Sequence, residues 1–209
     1  REIPYEHEGL AFACDPHYHD PISPYGLFRG PYSSVRRCLY GKDTFEYVFE
    51  YGEQFWKTYE KNRKLLYLDF LDAHEGTGEV IKYMDDRLSS FLVNLENEKR
   101  LDDTVIMLYS DHGLHMQGIF YLMNFDAVFI EISLPTLYLV LPHGLVKRFD
   151  ANVTANQQKM VWSHNIFDFF GVISKGNDYP YVNTSLVGNL DPKTRCNDIG
   201  IQNMWCACI

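Results

Sequence analysis

Two short apolar runs, set one helix apart, constrain the fold of this chain more than any other feature. The first is "KLLYLDFL", residues 64–71; the second is "TVIMLY", residues 104–109. Each is short for a helix and long enough for a buried strand. Between them, over residues 78–97, Val80, Ile81, Met84, Leu88, Phe91, Leu92 and Leu95 recur at three- and four-residue steps, which predicts an amphipathic helix. Strand, helix and strand over this length fit a βαβ crossover, a unit that is right-handed in nearly all proteins.

The rest of the chain extends that pattern. "TFEYVFEYGEQFWKTYEKN" reads as a helix on the spacing of Phe45, Val48, Phe49, Phe55, Trp56 and Tyr59, with Gly52 as a blemish. A loop over residues 111–133 leads to a third apolar segment, "LPTLYLVLP". After a further loop, "NQQKMVWSHNIFDFFGVI" reads as another helix. The expected fold class is therefore α/β, a mainly parallel sheet flanked by helices, with strands near residues 64–70, 104–110 and 134–141. The expected organisation is a Pro/Gly/Tyr-rich loop segment over 1–42, an α/β domain over 43–175 and a cysteine-containing tail over 176–209.

The chemistry collects where the strands end. Ligands of open parallel sheets bind beyond the carboxyl ends of the strands. The first run ends in Asp69, Asp72, His74 and Glu75, the second in "SDHG", Asp111-His112-Gly113. An adjacent carboxylate and imidazole suit a divalent cation, and Gly113 would let the chain turn round it, because glycine tolerates positive φ. The competing reading has Asp111 capping a helix and His112 solvated. Two ligands do not complete a coordination sphere, so others must join them. His74 reads either as a group that hydrogen-bonds an anion or acts as general acid, or as a loop histidine bonded to a backbone carbonyl. Asp72 and His115 are candidates for supporting or substrate-binding roles. The imidazole of His112 favours manganese or zinc over calcium or magnesium.

Composition removes some classes. Hydrophobic residues make up 46% of the 209, enough for a sizeable core, and the net charge of −9 with no basic stripe argues against nucleic-acid binding. No apolar run approaches the roughly 18 residues of a membrane span. Of the five cysteines, Cys14 and Cys38 could close the N-terminal loop, while Cys196, Cys206 and Cys208 crowd the end. That end lacks the four ligands of a zinc knuckle, so a disulfide is expected, joining Cys196 to Cys206 or Cys208. Two sequons, at Asn152 and Asn183, point the same way, to an oxidising secretory setting. The protein is then extracellular, or anchored to a membrane through an upstream segment.

From "YLDFLDAHEGTG" through "TVIMLYSDHG" the chain resembles the alkaline phosphatase and sulfatase superfamily. Its members show a His-containing loop (here His74), a helix bearing Asp and Leu (Asp85 or Asp86 with Leu88 and Leu92), a polar turn and "SDHG". "FIEISLPTLYLVLP", with Glu131, resembles the next segment of the superfamily. The narrower resemblance is to the sulfatase-like family catalogued as domain of unknown function 229, through "RRC" at Cys38, the "NQQ" helix start and "SLVGNLDPKTRCNDIGIQNMWCAC". It implies a metal-dependent hydrolase or transferase acting on a sulfate or phosphate ester, an anionic substrate. Asp111 and His112 would bind the metal ion and His74 would face the transferred group. It also implies that this is the C-terminal half of such a site, because the nucleophile and an acidic ligand of related enzymes lie upstream; that half would be needed as a partner. No "CxPxR" sulfatase motif occurs, and residues 114–135 contain no Lys or Arg to bind the anion. The alternative is an inactive sulfatase-like domain kept as a secreted or surface interaction module.

Overall fold

The structure, a computed structural model, describes residues 38–39, 41–73, 80–113, 125–202 and 206. These fall into two compact units, one reaching to residue 94 and the other formed by residues 95–113 and from 126 onward.

The first unit begins with a two-residue ladder, β1 (Cys38–Leu39) against β2 (Lys42–Asp43), antiparallel. The helix α1 (Thr44–Thr58) follows at once. Its apolar face buries Phe45 and Phe49, which pack with Met84, Phe70, Leu88 and Phe91. The helical period read over residues 78–97 is a short 3₁₀ turn, Val80–Met84, running into α2 (Asp85–Asn97). Arg87 ties α1 to α2: its Nε donates to Glu46 at 2.9 Å and its Nη2 to Glu53 at 2.8 Å. Its guanidinium also lies over the Phe49 ring, 5.0 Å from the centroid. Partial burial pulls the Arg87 pKa down, but the hydrogen bonds and charges of Glu53 and Glu46 outweigh it and hold it above its ordinary value.

Residues 64–70 form no strand among the described residues, contrary to the expectation. Exposure nevertheless alternates along them as it would in one: Leu66, Leu68 and Phe70 are half-buried, while Leu65, Tyr67 and Asp69 are exposed. Leu66 and Leu68 come to rest over Gly52, so the blemish in α1 is where this segment crosses it.

In the second unit β3 (Ile106–Tyr109) pairs with β4 (Leu137–Val140). The pairing is antiparallel, Ile106 opposite Val140 and Tyr109 opposite Leu137, which corrects the parallel sheet expected from the sequence. The period-two pattern of each run is the same in either direction, so it marks the strands without setting how they pair. The region read as loop contains α3 (Phe125–Ser133), after which the chain re-enters beside the end of β3 rather than its start. The ladder continues one step past the strands: Ser110 N–H donates to the Thr136 carbonyl at 3.0 Å, and Thr136 N–H to the Ser110 hydroxyl at 2.9 Å. Nor is the sheet buried on both sides. Met107, Leu137 and Leu139 pack into the core, while Leu108, Tyr138 and Val140 are exposed, the one-sided burial usual for antiparallel strands.

The core of this unit is Phe169, Val172, Tyr179, Leu186 and Val187, with Phe149 and Val153 against it. Its helices are α4 (His143–Asn156), in a stretch read from sequence as loop, and α5 (Ser163–Lys175). The single helix expected over 156–173 is broken before Ser163. There Asn165 Oδ1 accepts the Trp162 N–H at 2.9 Å and so caps α5. Gly171 lies in mid-helix, where a side chain would collide with the Tyr179 ring: a Cβ would stand 2.2 Å from it. Residues 182–190 contain little regular structure, so their carbonyls need partners from elsewhere. Asn156 Nδ2 donates to Leu186 and Gly188 at 3.0 and 2.7 Å, and Asn152 Nδ2 to Val187 at 3.1 Å. The tail closes with a disulfide between Cys196 and Cys206, one of the two pairings expected.

Candidate functional site

β3 delivers its last paired residue, Tyr109, and Ser110 continues the ladder. Asp111, His112 and Gly113 then leave the sheet. Gly113 N–H donates to the Ile132 carbonyl at 3.3 Å, which holds this segment against the C-terminal turn of α3. The approach is close: a Cβ on Gly113 would stand 1.8 Å from the Glu131 carbonyl oxygen. Gly113 is not among the glycines with positive φ. Glycine was expected here as a turn-former, whereas the structure needs it because no side chain fits.

Asp111 and His112 are both exposed, Asp111 the more so, and are arranged as a pair. Asp111 Oδ1 accepts the backbone N–H of His112 at 2.9 Å. The His112 Nδ1 lies 2.8 Å from the Gly113 carbonyl oxygen. A carbonyl can only accept, so Nδ1 carries a proton; Nε2 offers a lone pair to a metal ion when the ring is neutral and pairs with the Asp111 carboxylate when it is protonated. Nε2 is 3.4 Å from Asp111 Oδ2. Two donors of one tetrahedral ion at about 2.0–2.1 Å are about 3.3–3.4 Å apart, so this pair fits one edge of such a site. The residues present therefore suit a nitrogen- and oxygen-binding divalent ion, with two of its ligands. Among the described residues no group of three or more His, Cys, Asp or Glu is gathered as an ion would need.

Asp72 sits in a 3₁₀ turn, Leu71–Ala73, in the other unit, with the Thr44 hydroxyl 3.5 Å from its Oδ1. His74, His115, Cys14 and Cys208 lie outside the described residues. Of the two sequons, Asn183 is exposed, while Asn152 is half-buried with its amide engaged by Val187. No helix among the described residues is long and apolar enough to cross a membrane.

Sequence reading passed over Asn165 and Asp168. Both are buried on α5 in step with Phe169 and Val172. Asn165 Nδ2 donates to the Thr184 carbonyl at 2.7 Å. The Asp168 carboxylate accepts from Tyr179 Oη at 2.8 Å and from Thr184 Oγ1 at 2.5 Å. The signal was present: two polar residues on the apolar stripe of an amphipathic helix need partners there.

The fold and the strand-end pair define a mixed α/β protein with an Asp–His motif beside a helix terminus. Comparison with protein families takes this further. The chain belongs to the family described as Protein of unknown function (DUF229), whose profile matches residues 30–169. Comparison with curated proteins and with solved structures gives no significant match.

Proposed function

We propose that the chain contributes part of the active site of a sulfatase-like, metal-dependent hydrolase or transferase acting on a sulfate or phosphate ester. The observation that carries this reading is the Asp111–His112 pair: a carboxylate oxygen and an oriented imidazole Nε2 3.4 Å apart at the end of a strand. A divalent ion bound there would polarise the ester oxygens and favour ionisation of an attacking hydroxyl. Asp111 supplies anionic charge and His112 a neutral nitrogen, a combination that favours manganese or zinc over calcium or magnesium. His74 would hydrogen-bond the transferred group or protonate the leaving oxygen. The remaining ligands and the nucleophile would come from the upstream part of the protein. The Cys196–Cys206 disulfide supports a secretory-pathway setting, extracellular or membrane-anchored from upstream.

The test is His112→Ala and Asp111→Asn in the full-length protein, with bound metal measured by plasma mass spectrometry and turnover on aryl sulfate and aryl phosphate esters. The expected result is loss of more than about tenfold in metal affinity, since removing even the hydrogen-bond partner of a ligand costs about that much, and loss of turnover. Normal metal content and turnover in His112→Ala would overturn the assignment. Metal-loaded wild-type protein without activity on either ester would favour the interaction-module reading.

A further inference from the structure

Independently of the strand-end pair, the second unit holds an open groove of about 640 Å³ between the start of α5 and residues 179–199. Its walls combine aromatic rings and neutral polar groups with two carboxylates and one imidazole, His164, which stacks on Trp162 with centroids 4.7 Å apart. Trp162, Phe167, Tyr179 and Tyr181 line it, together with Asp168 and Asp191, and no lysine or arginine is among the lining residues. Phe167 and Tyr181 are exposed, at 69% and 60%, although both are large apolar rings. Tyr181 stands edge-on to Tyr179, with centroids 5.7 Å apart.

The charge at the base of this groove is the telling feature. Asp168 is only 8% exposed. Hydroxyl donors reach both of its oxygens, Tyr179 Oη to one and Thr184 Oγ1 to the other, as suits a carboxylate anion. Both donors are neutral, and among the described residues Asp168 makes no ion pair. A carboxylate removed from water ordinarily has a cationic partner. Aromatic rings share the groove with it, and the faces of such rings carry negative quadrupole potential that attracts cations within about 6 Å of the centroid. Tyr179 already accepts one from this chain, since Lys175 Nζ lies 5.9 Å from its centroid. The Asp191 side chain is exposed on the rim, with Oδ1 bonded to the Lys193 N–H at 2.8 Å.

We propose that this groove binds an organic cation, an alkylammonium group, seated on the aromatic rings with Asp168 and Asp191 as its counter-charges. An anionic ester would be repelled here, so the groove is distinct in ligand chemistry from the strand-end pair. An alkylammonium suits it better than a metal ion, because the lining offers apolar ring surface for the alkyl groups rather than a ring of oxygen donors.

The experiment titrates the intact protein with tetramethylammonium chloride against tert-butanol, a neutral compound of similar shape, at constant ionic strength, by calorimetry. Saturable binding of tetramethylammonium with none of tert-butanol is expected. Asp168→Asn, checked for folding by thermal melting, should weaken it about tenfold or more, and the rim changes Asp191→Asn and Phe167→Ala about threefold each, as loss of a counter-charge or a ring face predicts. Should Asp168→Asn fail to fold, the two rim variants decide. Equal binding of both probes, no saturable binding of tetramethylammonium, or unchanged affinity in the folded variants would each overturn the proposal.

Discussion

The Tyr179 hydroxyl donates to the Asp168 carboxylate at 2.8 Å, fastening the segment after α5 back onto that helix. The hydrogen bond to Asp168, burial and the neighbouring negative charge together raise the Tyr179 pKa above its usual value of 10.0. Tyr179→Phe keeps the ring in the core but leaves Asp168 with Thr184 alone. It should lower the midpoint of urea unfolding of the second unit at pH 7, because a hydrogen bond to a charged group is lost. The protonated form is favoured in the folded state, so the contribution is complete below about pH 10 and is lost as pH rises through the raised value. The stability difference between wild type and Tyr179→Phe should therefore be flat through neutral pH and shrink in strong alkali. A difference that grew there would contradict the assignment.

Gly113→Ala places a methyl group where the Glu131 carbonyl already is. Backbone must move, because the obstacle is itself backbone. The cost should be at least about 1–3 kcal/mol, as for overpacking, measured by chemical denaturation. Under the proposed function, metal affinity of the full-length protein would fall in the same variant, because Asp111 and His112 immediately precede Gly113.

Arg87 stands between Glu46 and Glu53, and its side chain is 18% exposed. Replacing it with Met keeps the packing on Phe49 but removes the cation that Glu46 and Glu53 share. Partial exposure limits the effect through solvent screening, so a loss of about 1–2 kcal/mol is expected by thermal or urea unfolding. Arg87→Lys should recover only part of it, because an ammonium cannot reach both carboxylates as a guanidinium fork does.

Non-reducing peptide mapping should return a fragment in which Cys196 is joined to Cys206. Reduction, or Cys206→Ser, should lower stability by about 2–4 kcal/mol, the typical contribution of a disulfide closing a short loop. A Cys196–Cys208 fragment, or stoichiometric zinc on the tail, would contradict the pairing.

Elements whose evidence is local were legible in the sequence. The start of α1 at Thr44, the apolar stripe of α2, and the runs that became β3 and β4 all follow from residue spacing. Strand direction was not legible, since "TVIMLY" and "LPTLYLVLP" carry the same pattern whichever way they pair. The stretch 64–70 shows the alternation of a strand, yet a strand is defined by its ladder, and alternation alone does not supply one. α4 was missed because Pro142 and Gly144 read as loop, although Leu145, Val146, Phe149 and Val153 behind them recur at the steps of an amphipathic helix. Of the candidate site, the identities of Asp111 and His112 were legible. The 3.4 Å separation and the bond fixing the imidazole were not, because they depend on how the chain leaves β3.

Asn152 has two claims on one nitrogen. In the folded chain its Nδ2 holds the Val187 carbonyl, next to the two carbonyls held by Asn156. In the sequence it is also the acceptor of a sequon, and a sugar would be attached through that same atom. Val187 is synthesised 35 residues after Asn152. There is thus an interval, during synthesis, when the amide has emerged and the segment that will claim it has not. A glycan added in that interval would sit where residues 186–188 must dock, whereas docking first would bring the amide against Val187. In the secretory setting proposed above, occupancy at Asn152 would be a matter of timing, a race between transferase and folding, while the exposed Asn183 would face no such deadline.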